Sequence, residues 1–342
     1  MRPAGIIAFM ISPASRRAAG SLFGLAYGDA LGKPTEFLTV AEIDRRFGPT
    51  GPRELVGDPA LVTDDTQMAL AVGWALHDAP TYTPGAVEPL LRRRFLDWAT
   101  SPDNNRAPGM TCLRACAELS RGLPWQQATE AGSKGCGANM RVTPVGLLDV
   151  DLDTLAGLAQ LQAGLTHGHP TGLAASELTA YAVRLLVDGA ALADLPDLLT
   201  ARVDEQRRVY RADWLGDLWK RSGVRAPEEF ISRGWQECER ALARLDVALA
   251  APDDGGDPCR LTGEGWIAEE ALAAALYCAI RHADSPVYAL VRGARTAGDS
   301  DSIAALAGAF VGAAHGMSGW PSGWAERIEY ADQLAALAAA PD

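Results

Sequence analysis

The chain has 342 residues, 48% of them hydrophobic, ample for a sizeable buried core and, on length alone, for one or two domains. Lys and Arg number 31 against 43 Asp and Glu, a formal net charge of −12. Nucleic-acid backbones and anionic membrane surfaces are bound by neutralising their charge, so general binding to either is not expected. An anionic small substrate would need local positive charge from a bound cation or a helix N-terminus.

At the start, Arg2 precedes the apolar run Gly5-Ile6-Ile7-Ala8-Phe9-Met10-Ile11. The run is at the short end for a secretory signal, and Arg16-Arg17 follow it closely, so residues 1–15 are expected to be a disordered extension ahead of a folded domain spanning 16–342. Gly20, Gly24, Gly28 and Gly32 recur every fourth residue and line one face of a predicted helix. Glycine costs about 1 kcal/mol against alanine inside a helix, so such a row implies close backbone approach to a neighbouring helix. Apolar residues three and four apart then predict helices over 66–77, 86–99, 111–120, 153–164, 172–187, 267–282, 301–315 and 324–339. Turn clusters fall at 101–105, 132–135 and 253–258. The charged stretch 201–250, with Trp214, Trp219 and Trp235, reads with its following loop as a variable helical insertion over 201–260. Alternating strand patterns are scarce, so the expected class is all-α, a single multi-helix domain. No stretch beyond the N-terminus reads as apolar for long enough to span a membrane. The six cysteines form no CxxC pair or zinc spacing and read as small buried hydrophobes in a reducing cytoplasm.

Two acidic clusters carry the chemistry. Thr63-Asp64-Asp65-Thr66-Gln67 and Gly298-Asp299-Ser300-Asp301-Ser302 each precede an apolar helical run. Either cluster alone reads as a helix N-cap. A cap needs one oxygen, however, and four carboxylates with hydroxyls between them would repel unless a cation neutralised them. Oxygen donors of this kind suit Mg²⁺, Mn²⁺ or Ca²⁺ rather than zinc. The five histidines form no zinc-binding helical pair.

Thr63-Asp64-Asp65-Thr66-Gln67-Met68 resembles the first metal motif of the ADP-ribosylglycohydrolase family, of the dinitrogenase-reductase-activating glycohydrolase and ADP-ribosyl-acceptor hydrolase type. The stretch from Gly298 to Ala309 resembles its C-terminal metal motif. The stretch from Gly24 to Gly32 is similar to its first helix, and Gly135–Pro144 and Thr166–Pro170 to its middle motifs. The order and spacing agree over residues 17–335. The resemblance implies a single all-helical domain with a central cleft holding two Mg²⁺ ions. Thr63, Asp64 and Asp65 would supply one set of ligands, and Asp299, Asp301 and Ser302 the other. It implies cleavage of the glycosidic bond between ADP-ribose and an acceptor, with ADP-ribose and the ADP-ribosylated substrate as partners. Such a reaction passes through an oxocarbenium-like state. Glu36 and Asp65 are the catalytic candidates, the alternative for Glu36 being an exposed loop carboxylate. The backbone of Gly135, Gly137, Ala138 and Asn139 is the expected diphosphate cradle, with Met140 beside it. Arg141 would pair either with phosphate or with a structural partner, and His167 either lines the cleft or is structural. Asp29 reads as structural. No long amphipathic pairing helix stands out, so a monomer is expected.

One segment departs from the family. Where many members carry Asp-Ile-Gly-Asn-Thr, this chain has Arg106-Ala107-Pro108-Gly109-Met110-Thr111, so Ala107 stands where an aspartate assigned a catalytic role in some members would be; Asp103 is a candidate substitute. That leaves the general base and the acceptor open. The alternative is a non-catalytic ADP-ribose-binding or structural relative. Other helical Mg²⁺ enzymes fit less well, because Asp64-Asp65-Thr66-Gln67-Met68 lacks the final aspartate of an Asp-Asp-x-x-Asp run.

Overall fold

The helical periodicities translate into a set of helices in the computed structural model, which describes residues 13–339. Those that frame the molecule are α1 (Pro13–Gly32), α2 (Asp64–His77), α3 (Pro84–Ala99), α4 (Met110–Ser120), α5 (Leu152–Gly164) and α6 (Pro170–Asp188), followed by α7 (Pro227–Ala250), α8 (Ala268–Arg281), α9 (Pro286–Ala294), α10 (Ser300–His315) and α11 (Ala331–Ala338). Their ends follow local chemistry. Asp151 accepts from the Asp153 and Thr154 amides ahead of α5, at 3.0 and 2.9 Å, and Gly189 closes α6 in the left-handed region with φ 106°. Among the described residues β-structure is confined to isolated bridges, so the class is all-α.

The glycine row on α1 decides the architecture. Added Cβ atoms at Gly20, Gly24 and Gly28 would run into the carbonyl oxygens of Gly312, Gly308 and Ala304 on α10, and one at Gly32 into the Asp301 backbone. The numbers run in opposite senses, so the two helices are antiparallel and touch backbone to backbone. This contact puts the C-terminal end of α1 beside the N-terminal end of α10. Ser21 Oγ donates to the Ala309 carbonyl at 2.9 Å and Thr35 Oγ1 to Ser300 Oγ at 3.0 Å, which fixes the register.

The structure amends three expectations. Ser300–Gly319 is long and apolar enough, by length and composition, to cross a membrane, contrary to the sequence reading. Its Ala and Gly residues are apolar on every side because α1, α8 and α9 surround it, as befits a buried core helix. The segment 324–339 is not one helix. Ala60 pairs with the chain at Arg327 and Glu329, its N–H donating to the Arg327 carbonyl at 2.7 Å and its C=O accepting from the Glu329 amide at 3.0 Å, and Tyr330 turns left-handed with φ 61° before α11. The charged stretch read as an insertion packs into the core of the domain. Trp235 of α7 is fully buried and Gly234 packs on the Pro170 backbone, while Asp257 in the loop that follows α7 accepts from Thr296 Oγ1 at 2.5 Å and the Ala297 amide at 3.1 Å. Finally, residues 13–15 of the expected extension already belong to α1; residues 1–12 lie outside the described residues.

Candidate functional site

Both acidic clusters open onto one cavity of about 330 Å³. Asp64 and Asp65 reach it from the first turn of α2, and Asp299, Asp301 and Ser302 from the start of α10. Asp29 makes this convergence possible. It is fully buried on α1, and its carboxylate accepts from the Thr63 amide at 2.9 and 3.0 Å, the Thr66 amide at 3.0 Å and Thr66 Oγ1 at 2.6 Å. It therefore clamps the N-terminus of α2 to the end of α1. Asp64 is anchored by the Gly109 amide at 3.1 Å. Thr63 caps α2, its hydroxyl accepting from the Asp65 amide at 3.3 Å and standing 3.4 Å from Asp65 Oδ2; it does not line the cavity itself.

The electrostatics are those of crowded acids. Burial, then repulsion from Asp301, raises Asp29 to about 7. Burial, opposed by the Gly109 bond and reinforced by Asp301, raises Asp64 to about 7. Asp65 and Asp299 lie well above the usual carboxylate range for the same first cause, burial, with Asp301 next. Glu36 sits in the loop after α1 beside Asp301, and burial followed by that neighbour's charge pushes it up to about 9. Two helix N-termini point at the cluster and supply partial positive charge. Among the described residues no Lys or Arg lines the cavity. Asp65 Oδ1 is buried without a hydrogen-bond partner. Among the described residues no group of three His, Cys, Asp or Glu is closed into a ready-made cage. The chemistry of the donors, all carboxylate and hydroxyl oxygen with one orphaned acceptor, nevertheless fits hard divalent cations.

The opposite wall is the loop 133–137. It is stitched to the start of α8 by Cys136 N–H to Trp266 O at 3.0 Å and Ala268 N–H to Lys134 O at 2.9 Å. Gly135 and Gly137 line the cavity with their bare α-carbons against His167, and Met140 closes the floor. His167 lies 2.8 Å from Thr166 Oγ1 through Nδ1; burial, and then Arg141, bring its pKa down to about 3, so the ring is neutral.

A family model, ADP-ribosylglycohydrolase, matches residues 11–341. The chain belongs to the ADP-ribosylglycohydrolase family. It is 27% identical over 323 residues to the ADP-ribosyl-[dinitrogen reductase] glycohydrolase of Rhodospirillum rubrum, covering 92% of this chain and 90% of that one. It is 24% identical over 366 residues to ADP-ribosylhydrolase ARH3 of Bos taurus, covering 93% and 90%. A solved ADP-ribosylglycohydrolase-related protein complex matches with TM-score 0.69 and 24% identity over 95% of this chain and 96% of that one, a likeness of fold. The family and these relatives indicate ADP-ribosyl hydrolase activity.

Several residues carried over from the family motifs stand away from the cavity. Arg141 is fully buried and spends all its donors inside the core: on Gln162 Oε1 and O at 2.8 and 2.7 Å, Thr166 Oγ1 at 2.8 Å, Met68 Sδ at 3.4 Å and Cys112 Sγ at 3.6 Å. Its guanidinium also lies 4.3 Å from the Phe95 ring centroid. It holds the motif in place and has no donor left for a phosphate. Asn139 is likewise buried, its side chain donating to the Ala268 carbonyl at 3.2 Å, and Ala138 is packed in the core. Asp103 is not a substitute base: it is outside the cavity, its carboxylate taking the Tyr330 hydroxyl at 3.3 Å. Ala107 does line the cavity, in the left-handed region with φ 53°. The sequence reading missed Phe37, Met110, Cys112, Cys136 and Trp266, which also line it. Position beside Glu36 and beside the Gly263-Glu264-Gly265 turn was the available signal for the two aromatics.

Proposed function

We propose that the protein is a divalent-metal-dependent hydrolase that cuts the glycosidic bond between ADP-ribose and a modified acceptor. The observation that carries this is the convergence of Asp64, Asp65, Asp299 and Asp301 on one cavity that contains no cationic side chain. Asp64, Asp65, Asp299 and Asp301, with the Ser302 hydroxyl, would hold the ions, two Mg²⁺ in this reading, and Thr63, which does not line the cavity, would hold Asp65 in place through its cap of α2. Bound there, divalent ions supply Lewis acidity and neutralise the crowded carboxylates.

The chain's own groups do the rest. The Gly135 and Gly137 backbone allows the substrate diphosphate to approach closely. His167, neutral and held by Thr166, lines the wall without adding charge. Met140 and Cys136 keep the floor dry. Glu36, its pKa raised by burial and Asp301, exchanges a proton through its carboxyl at the atom leaving C1″ or at the attacking water, and Asp65 fixes the ribose side. No carboxylate at position 107 shares that task, so Glu36 carries it.

The test is release of ADP-ribose from a panel of defined ADP-ribosylated acceptors with and without chelator. Release that requires Mg²⁺, and falls at least about a hundredfold in Glu36→Gln, is the expected result. Tight ADP-ribose binding with no turnover on any acceptor would replace the hydrolase by a binding module.

A further inference from the structure

We infer that Lys134 is a positioning residue for substrate binding: its ammonium ties the glycine loop that walls the cavity to α7 and α8, and so holds that loop in the shape that receives the diphosphate. This rests on the hydrolase reading above, in which Gly135 and Gly137 face the substrate.

Lys134 directly precedes Gly135, yet it does not line the cavity. Its side chain runs to the back of the wall. There Nζ donates to Glu237 Oε2 of α7 at 2.7 Å and to Glu269 Oε1 in the first turn of α8 at 2.5 Å. Glu237 Oε2 also accepts from Thr171 Oγ1 of α6 at 2.6 Å. One ammonium therefore gathers three helices behind the cavity wall. The backbone runs the same way. Lys134 O accepts from the Ala268 amide at 2.9 Å, and Ser133 O accepts from the His169 amide at 3.3 Å.

The charge balance separates this contact from an ordinary surface pair. The Glu269 side chain is only 5% exposed, and its Oε2 has no hydrogen-bond partner. Without Lys134 the two carboxylates repel, and Glu269 is left as an uncompensated buried charge. The loop itself offers little resistance. Gly135 and Gly137 have no side chains to anchor, and glycine loses more conformational freedom on ordering than any other residue. A loop already held in its bound shape binds without that entropic penalty. The carboxylates lie on the facing wall, so release of the tether weakens the grip on ADP-ribose and spares the bond-breaking step.

The experiment measures the Kd of ADP-ribose by calorimetry in millimolar Mg²⁺, the thermal midpoint, and kcat and KM for ADP-ribose release. The variants are Lys134→Met, Lys134→Arg, Glu237→Ala and the double variant Lys134→Met/Glu269→Gln. Arg202→Met, which breaks a buried pair with Glu177 at 2.8 Å and does not line the cavity, serves as a purely structural control. Lys134→Met should raise Kd and KM about tenfold with kcat within about twofold, and Glu237→Ala should raise them about threefold. Lys134→Arg, which keeps the charge, should stay near wild type. The double variant should recover the thermal midpoint while its Kd stays raised. Arg202→Met should lower the midpoint and leave Kd unchanged. A Kd that follows the midpoint across the series, or one that is unchanged in Lys134→Met, overturns the inference. If Lys134→Met does not fold, Glu237→Ala decides, its side chain being partly exposed, and an unchanged Kd there overturns the inference in the same way. Wild type that binds ADP-ribose with variants that match it sinks this inference alone; wild type that neither binds nor releases ADP-ribose sinks the hydrolase reading with it.

Discussion

Asp65 has the least compensated position in the cavity, fully buried, flanked by four other aspartates and with Oδ1 unpartnered. Asp103, four residues before Ala107, has its carboxylate on the Tyr330 hydroxyl outside. Asp65→Ala should therefore abolish Mg²⁺ binding, read by calorimetry, together with activity, whereas Asp103→Ala should change kcat/KM by less than about twofold. Equal activity of wild type and Asp65→Ala would refute the assigned site. Arg141 shows the limit of motif reading at this scale. It sits one residue from cavity-lining Met140, and nothing in the residue string separates an arginine facing substrate from one facing the core. Only the packing places its guanidinium against Gln162, Thr166 and Phe95. Arg141→Lys leaves a buried charge with too few partners, and lysine cannot reproduce the fork. It should lower stability by about 3 kcal/mol in urea unfolding while the KM of the folded fraction stays near wild type. A KM raised tenfold at unchanged stability would return Arg141 to the phosphate.

Among the elements, the helices were legible because burial of one face imposes a 3.6-residue period on the sequence, and the α1 glycine row was legible because glycine needs a reason to be in a helix. The break at 328–330 was not, since it comes from Ala60 capturing the backbone across the molecule, a contact with no local signature. The helix Val40–Phe47 passed unread although its Thr39/Glu42 capping box stands in the sequence, because eight residues carry too little periodicity. Antiparallel contact between α1 and α10 sets the distance between Glu36 and Asp301. Gly28→Ala would put a methyl into the Ala304 carbonyl, and the helices must separate; a loss of about 3 kcal/mol, with Mg²⁺ affinity falling alongside, is expected by denaturation and calorimetry. Gly85→Ala, in the first turn of α3 with nothing within 4 Å, should instead stabilise by about 0.5–1 kcal/mol. Similar effects of the two would show that the close approach is not what holds the site together.

For the molecule as a whole, the all-α class and the family were readable from periodicity and motif order, but the net charge of −12 gave no hint of how much of it is gathered at one point. That gathering makes folding and cation binding one problem. Asp29 and Asp64 at about 7 and Glu36 at about 9 all lie above their unfolded values of about 4, so the folded cation-free protein holds protons that the unfolded chain releases. Their contribution is complete below about pH 4 and is lost as pH rises through 7 to 9. His167, lowered to about 3, has the opposite sign, destabilising below its unfolded value of about 6.5 and silent above it. The window from about pH 6.5 to 8.5 therefore isolates the carboxylates. In chelator the thermal midpoint should fall by several degrees across that window. Millimolar Mg²⁺, binding the ionised cluster in the folded state only, should flatten the fall and give its largest stabilisation at the alkaline end. A midpoint in chelator that is flat or rising from pH 6.5 to 8.5 would mean that the acids at the ends of α1, α2 and α10 do not share one field, and the cation would lose its reason to be there.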